Sequence, residues 1–97
     1  MIKFKKNSKV WQTLADSCET PGDFIRAVMM LRDETTVSLG EKLGTTSANI
    51  SMSCVAGHEP GVKMCYNLAM ALNIDPYLLN RKCQDYKMKQ IIEQNQK

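Results

Sequence analysis

The sequence predicts an all-α fold, and three observations carry that reading. No stretch alternates apolar and polar residues in the manner of a half-buried strand. Apolar residues instead recur three and four apart along most of the chain, the spacing that lines them up on one face of a helix. The breaks between these stretches hold capping hydroxyls, prolines and glycines, which start and stop short helices.

Ser8 can cap a first short helix whose apolar face is Val10, Trp11, Leu14, Ala15 and Cys18. Thr20-Pro21-Gly22-Asp23 then supplies a cap, a proline at the first helical position and an acid in the first turn. Phe24, Ala27, Val28 and Leu31 follow at the spacing of one buried face. Thr35 and Thr36 are the next caps, ahead of a shorter stripe of Leu39, Gly40 and Leu43. Gly44 and the cluster Thr45-Thr46-Ser47 separate it from a helix of about 47–55 that turns Ile50 and Cys54 inward. Gly57, Pro60 and Gly61 end that helix. A longer one carries Val62, Cys65, Tyr66, Ala69 and Leu72, and Asn73 suits a left-handed stop. Asp75-Pro76 restarts a helix on Tyr77, Leu78 and Leu79, and beyond Asn80 the apolar pattern thins.

A chain of 97 residues is expected to form a single core, with an apolar fraction of 43% and a charged fraction of 24% typical of a folded protein. The organisation read from it is a basic arm and short helix at 1–19, a helical body at 20–80 and a basic helix or tail at 81–97. No apolar run approaches the roughly 18 to 20 residues of a membrane span, and the basic start leads into Asn7-Ser8-Lys9 rather than an apolar segment. A cytoplasmic protein without membrane partners is the expectation. Cys18, Cys54, Cys65 and Cys83 include no Cys-x-x-Cys pair, and His58 is the only histidine, so no metal is expected and the cysteines read as reduced core residues. No nucleotide, dinucleotide or nucleophile motif is present, so neither a cofactor nor an enzymatic activity is expected.

The net charge of +3 is unevenly placed. Lys3, Lys5, Lys6 and Lys9 stand without an acid in the first ten residues, and five basic residues face two acids over 81–97. The segment 11–80 holds four basic residues against eight acids. Basic ends around a mildly acidic body suit arms that touch the phosphates of a polyanion, and equally suit solvated termini.

Leu39-Gly40-x-x-Leu43-Gly44-Thr45-Thr46-x-x-x-Ile50-Ser51 resembles the helix-turn-helix of the Cro and phage-repressor-like (XRE-type) family, with its pattern Leu-Ala-x-x-Leu-Gly-Val-Ser-x-x-x-Ile-Ser. Leu68-Ala69-x-Ala71-Leu72-Asn73-Ile74 is similar to the family's Leu-Ala-x-Ala-Leu-Gly-Val, and the resemblance spans 23–80. It implies a five-helix lambda-repressor-like domain, here with an extra N-terminal helix and a C-terminal tail or helix. It further implies a sequence-specific transcriptional regulator of double-stranded DNA, a small repressor or Cro-like protein of a phage, plasmid or other mobile element. Such a protein binds an inverted-repeat operator as a homodimer in the bacterial cytoplasm, at the nucleoid. In this pattern Gly40 lies where the two motif helices cross, Gly44 takes positive φ in the turn, and Leu39, Leu43 and Ile50 pin the core.

The resemblance places Ser47, Ala48, Asn49 and Met52 toward base edges. An asparagine amide can pair with adenine in bidentate fashion, while Ala48 and Met52 can pack on a thymine methyl. Thr46 would cap the second motif helix, and Thr36 stands where relatives carry a glutamine. Thr36, Thr46, Ser51, Lys42, His58, Lys63, Lys3, Lys5 and Lys6 are the phosphate candidates. A dimer surface is expected from Tyr77, Leu78, Leu79, Tyr86 and Ile91. Three further features depart from the pattern: Ser53, Cys54 and Val55 stand where relatives carry an acid with an apolar neighbour, Gly57 comes seven residues after Ile50 rather than six, and 45–57 contains neither lysine nor arginine. The neutral helix keeps a second reading open, an antitoxin-like module that neutralises a partner toxin.

Overall fold

The computed structural model describes residues 8–55 and 57–95, and the described residues are helical and turn structure without strands. Six helices follow in order: α1 (Ser8–Ser17), α2 (Pro21–Leu31), α3 (Thr36–Leu43), α4 (Ser47–Ser53), α5 (Val62–Leu72) and α6 (Pro76–Asn95). None is long and apolar enough to cross a membrane.

Their ends form where the sequence places the caps. Thr20 Oγ1 accepts the Asp23 N–H at 3.0 Å and starts α2. Thr35 and Ser38 form a reciprocal capping box on α3, with bonds of 3.0 and 2.8 Å. Gly44 closes α3 at φ 67°, and Asn73 closes α5 at φ 57°, both left-handed. Asp75 Oδ1 accepts the Tyr77 N–H at 2.9 Å and opens α6.

Packing runs α3 on α4 and α5, α5 along α6, α2 on α6, and α1 on both α2 and α6. Trp11, Phe24, Ile25, Val28, Leu39, Ile50, Leu68, Leu72, Ile74 and Leu79 are the larger members of one continuous core. Arg32 fastens its edge. Its guanidinium stacks over the Trp11 ring at 4.8 Å and donates to the Asn73 carbonyl at 3.1 Å, joining α1, α2 and the end of α5. Lys82 similarly donates to the Cys18 carbonyl at 2.6 Å and ties α6 to the end of α1.

Several faces differ from the sequence expectation. In α2 the inward stripe is Phe24, Ile25, Val28 and Met29, and Leu31 is exposed. The stripes on either side of Phe24 and Val28 are both apolar, and the positions of α1 and α6 select the Ile25 side. Val10, Val62, Tyr66 and Tyr77 point to solvent rather than inward, and Leu68 fills the place expected of its neighbours. Residues 76–95 form one helix with no break at 80, because Gln, Lys and Met continue a helix without needing a core. Leu78 and Leu79, expected on a dimer surface, are core residues at 3% and 0% exposure.

Candidate nucleic-acid interface

α4 is a seven-residue helix held against the body by its inner side. Ile50 is fully buried, and Ser53 and Cys54 are buried beside it. Thr46 Oγ1 accepts the Asn49 N–H at 3.1 Å and sets the first turn. At the other end Ser53 Oγ donates to the Asn49 carbonyl at 3.1 Å, and Cys54 caps the helix.

Two glycines allow this placement. A Cβ on Gly40 would lie 2.9 Å from the Thr45 carbonyl oxygen and 3.1 Å from the Thr46 carbonyl carbon. The crossing of α3 with the start of α4 is therefore closer than the sequence pattern implies, since even a methyl group is crowded. A Cβ on Gly22 would lie 1.9 Å from the Cys54 carbonyl oxygen. The first turn of α2 thus rests directly on the end of α4, a contact between distant segments that no local pattern announces.

The outward side of α4 carries Ala48, Asn49 and Met52, all exposed, with Ser47 and Ser51 half-buried at its edges. These are the residues expected at base edges, and they share one surface. The Asn49 amide is not idle: its Nδ2 donates to Thr45 Oγ1 at 2.7 Å, which orients it over the amino end of the helix. Thr46 is exposed and Thr36 half-buried. His58 and Lys63 are exposed in and after the turn that follows α4. Lys3, Lys5 and Lys6 lie outside the described residues.

Lys42, one of the phosphate candidates, is exposed and paired within the chain. Its Nζ pairs with Glu34 Oε2, and Ser38 Oγ donates to the other carboxylate oxygen at 2.6 Å. The hydrogen bond from Lys42, with that from Ser38, holds the Glu34 carboxyl below its ordinary value. Arg26 on α2 is a basic residue that the sequence reading passed over. It is exposed, and its charge acts on the Cys54 thiol at the end of α4, opposing the larger upward push of burial. No signal in the sequence marks it: Arg26 stands one helical turn beyond Gly22, whose contact with Cys54 exists only in the folded chain.

Among the described residues no group of three or more His, Cys, Asp or Glu side chains is placed to hold a metal ion, and all four cysteines are free thiols. The chain matches no family model, no curated protein and no solved structure.

Proposed function

We propose that the chain is a sequence-specific DNA-binding transcriptional regulator, with α3 and α4 as a helix-turn-helix and α4 as the helix that reads the major groove. The observation that carries this reading is the way α4 is displayed. A left-handed Gly44 turn and the Gly40 crossing fix it on α3, while Ala48, Asn49 and Met52 stand free on its outer side. In this reading Asn49 pairs with a base, Ala48 and Met52 meet methyl groups, and Thr46, Ser51, His58, Lys63 and Arg26 contact phosphates around them. One such helix covers only a few base pairs, so two copies bind inverted half-sites about 34 Å apart. The role is that of a small repressor or Cro-like protein. A gel shift with the DNA upstream of its own gene tests the proposal. The expected result is binding about 10³-fold or more tighter than to random DNA, surviving excess competitor.

A second reading is favoured by one specific observation. Ala48 and Met52 on α4, with Val55 just beyond its cap, are apolar and exposed, Met52 by 50% and Val55 by 44%, and no lysine or arginine occurs in 45–57. Such a face suits a protein partner, as in an antitoxin that covers a toxin. Loss of the gel shift under competitor, together with co-purification of a protein encoded beside the gene, would favour this reading over the first.

A further inference from the structure

Cys65 of α5 and Cys83 of α6 are fully buried, and their sulfurs lie 3.7 Å apart. The Cys65 sulfur also lies 3.5 Å from the Pro60 carbonyl oxygen. A carbonyl only accepts, so the Cys65 S–H donates to Pro60, and the contact between the two sulfurs is carried by the Cys83 proton. Pro60 is buried within the 57–61 turn that leads from α4 to α5. Among the described residues the turn's other hydrogen bonds are local: Gly57 sits at φ 92°, its N–H donates to Glu59 within the turn, and His58 N–H reaches back to Val55.

We propose that Cys65 and Cys83 are a redox pair that closes to a disulfide between α5 and α6, and that closure loosens the 57–61 turn by removing the thiol hydrogen that holds the Pro60 carbonyl. The geometry requires little. From 3.7 Å each sulfur moves by about 0.8 Å to reach a disulfide bond length near 2.05 Å, within the range of side-chain rotation. The oxidant is hydrogen peroxide. The Cys65 sulfur attacks the peroxide oxygen and becomes a sulfenic acid, with one water released once the leaving oxygen is protonated. The Cys83 sulfur then attacks the sulfenic sulfur, the S–O bond breaks and a second water leaves. Two thiols lose two electrons and two hydrogens, and the peroxide takes up both. The hydrogen bond with Cys83 holds the Cys65 thiol below its ordinary value, against burial and with help from Lys87, which makes Cys65 the attacking sulfur. Both contacts of Cys65 are independent of whatever α4 binds.

The test uses the full chain, reduced, treated with hydrogen peroxide, then denatured and alkylated for mass measurement. The expected product is about 2 Da lighter than the reduced chain before alkylation, takes up two alkyl groups, at Cys18 and Cys54, where the reduced chain takes up four, and yields a cross-linked Cys65–Cys83 peptide. His58 is the only histidine and Trp11 the only tryptophan, so their ring signals in proton NMR report the turn and the core separately. The His58 signals should move on oxidation while the Trp11 indole stays in place, and neither the mass loss nor the shift should occur in Cys83→Ala or Cys83→Ser. Four alkylatable thiols after treatment, or a cross-link through Cys18 or Cys54, would overturn the pair. A Cys65–Cys83 bond that leaves His58 unmoved would overturn the coupling to the turn.

Discussion

Gly22→Ala is the sharpest probe of how α4 is held. The added carbon would lie 1.9 Å from the Cys54 carbonyl oxygen, 2.6 Å from its carbon and 3.0 Å from its Cα. All three atoms are backbone, so no side chain can turn aside, and α2 and the end of α4 must separate by over about 1 Å to restore ordinary contact. Pro21, Phe24 and Ile25 are buried in the same turn of α2, so the separation opens the core around them. Overpacking of this kind costs about 1–3 kcal/mol, and more where only backbone can yield. Alanine's helix preference returns at most about 1 kcal/mol. With only backbone able to yield, the cost lies at the upper end of that range and the net is a loss of about 2 kcal/mol, which for a chain of this size lowers Tm by about 8–16 °C. Gly61→Ser is the matched control. Gly61 caps α5 at φ −73° with no side-chain bond and has nothing within 4 Å of an added Cβ, so serine should raise stability by about 0.5–1 kcal/mol. Thermal and urea unfolding followed by circular dichroism measure both. A Gly22→Ala variant melting within about 2 °C of the parent would refute the contact and the placement of α4 that depends on it.

Asn49→Ala should weaken binding to the operator by about 1–3 kcal/mol and leave random DNA nearly unaffected, as titration against both DNAs would read; equal losses on the two would remove Asn49 from base reading. Deleting residues 1–6 removes Lys3, Lys5 and Lys6. If they neutralise phosphates, the slope of log affinity against log salt should become shallower by about 2 to 3 units with sequence preference kept, and an unchanged slope would assign the arm to another role. The Glu34 carboxyl, held below its ordinary 4.5 by Lys42 and Ser38, contributes stability that is complete above that value and disappears as pH falls through the lowered one. The urea midpoints of the parent and Glu34→Gln should therefore differ at neutral pH and converge in acid; a gap that persists at low pH would show that the carboxylate charge is not its source.

What the sequence makes legible here is whatever neighbouring residues decide among themselves. Thr20, Thr35 and Thr46 each cap the helix that follows, and Gly44 and Asn73 take the left-handed stops, because caps and stops are settled within four residues. Which apolar stripe turns inward is settled by other helices, and there local spacing misleads. Leu31 and Tyr77 keep a helical spacing to core residues yet stand 65% and 80% exposed. Gly22 and Arg26 could not be placed beside α4 from spacing alone, since the contact with Cys54 exists only after α2 and α4 meet. The candidate site divides along the same line. Its residues are collected by one short helix, so Ala48, Asn49 and Met52 are legible as a set. Its electrostatics are not, because Lys42 reads as a free cation until Glu34 is found folded against it. With that charge engaged and Lys82 bound to the Cys18 carbonyl, the count of basic residues overstates what a polyanion could meet on the body. In the DNA-binding reading proposed above, phosphate contact would fall to Arg26, Lys63 and the terminal lysines, which surround α4 in sequence terms without lying on it. A regulator built this way would take affinity from its periphery and specificity from a neutral helix, so mutations in the two places should separate salt dependence from sequence preference. A partner protein on Ala48, Met52 and Val55 would couple to neither, and that contrast distinguishes the two readings of the same face.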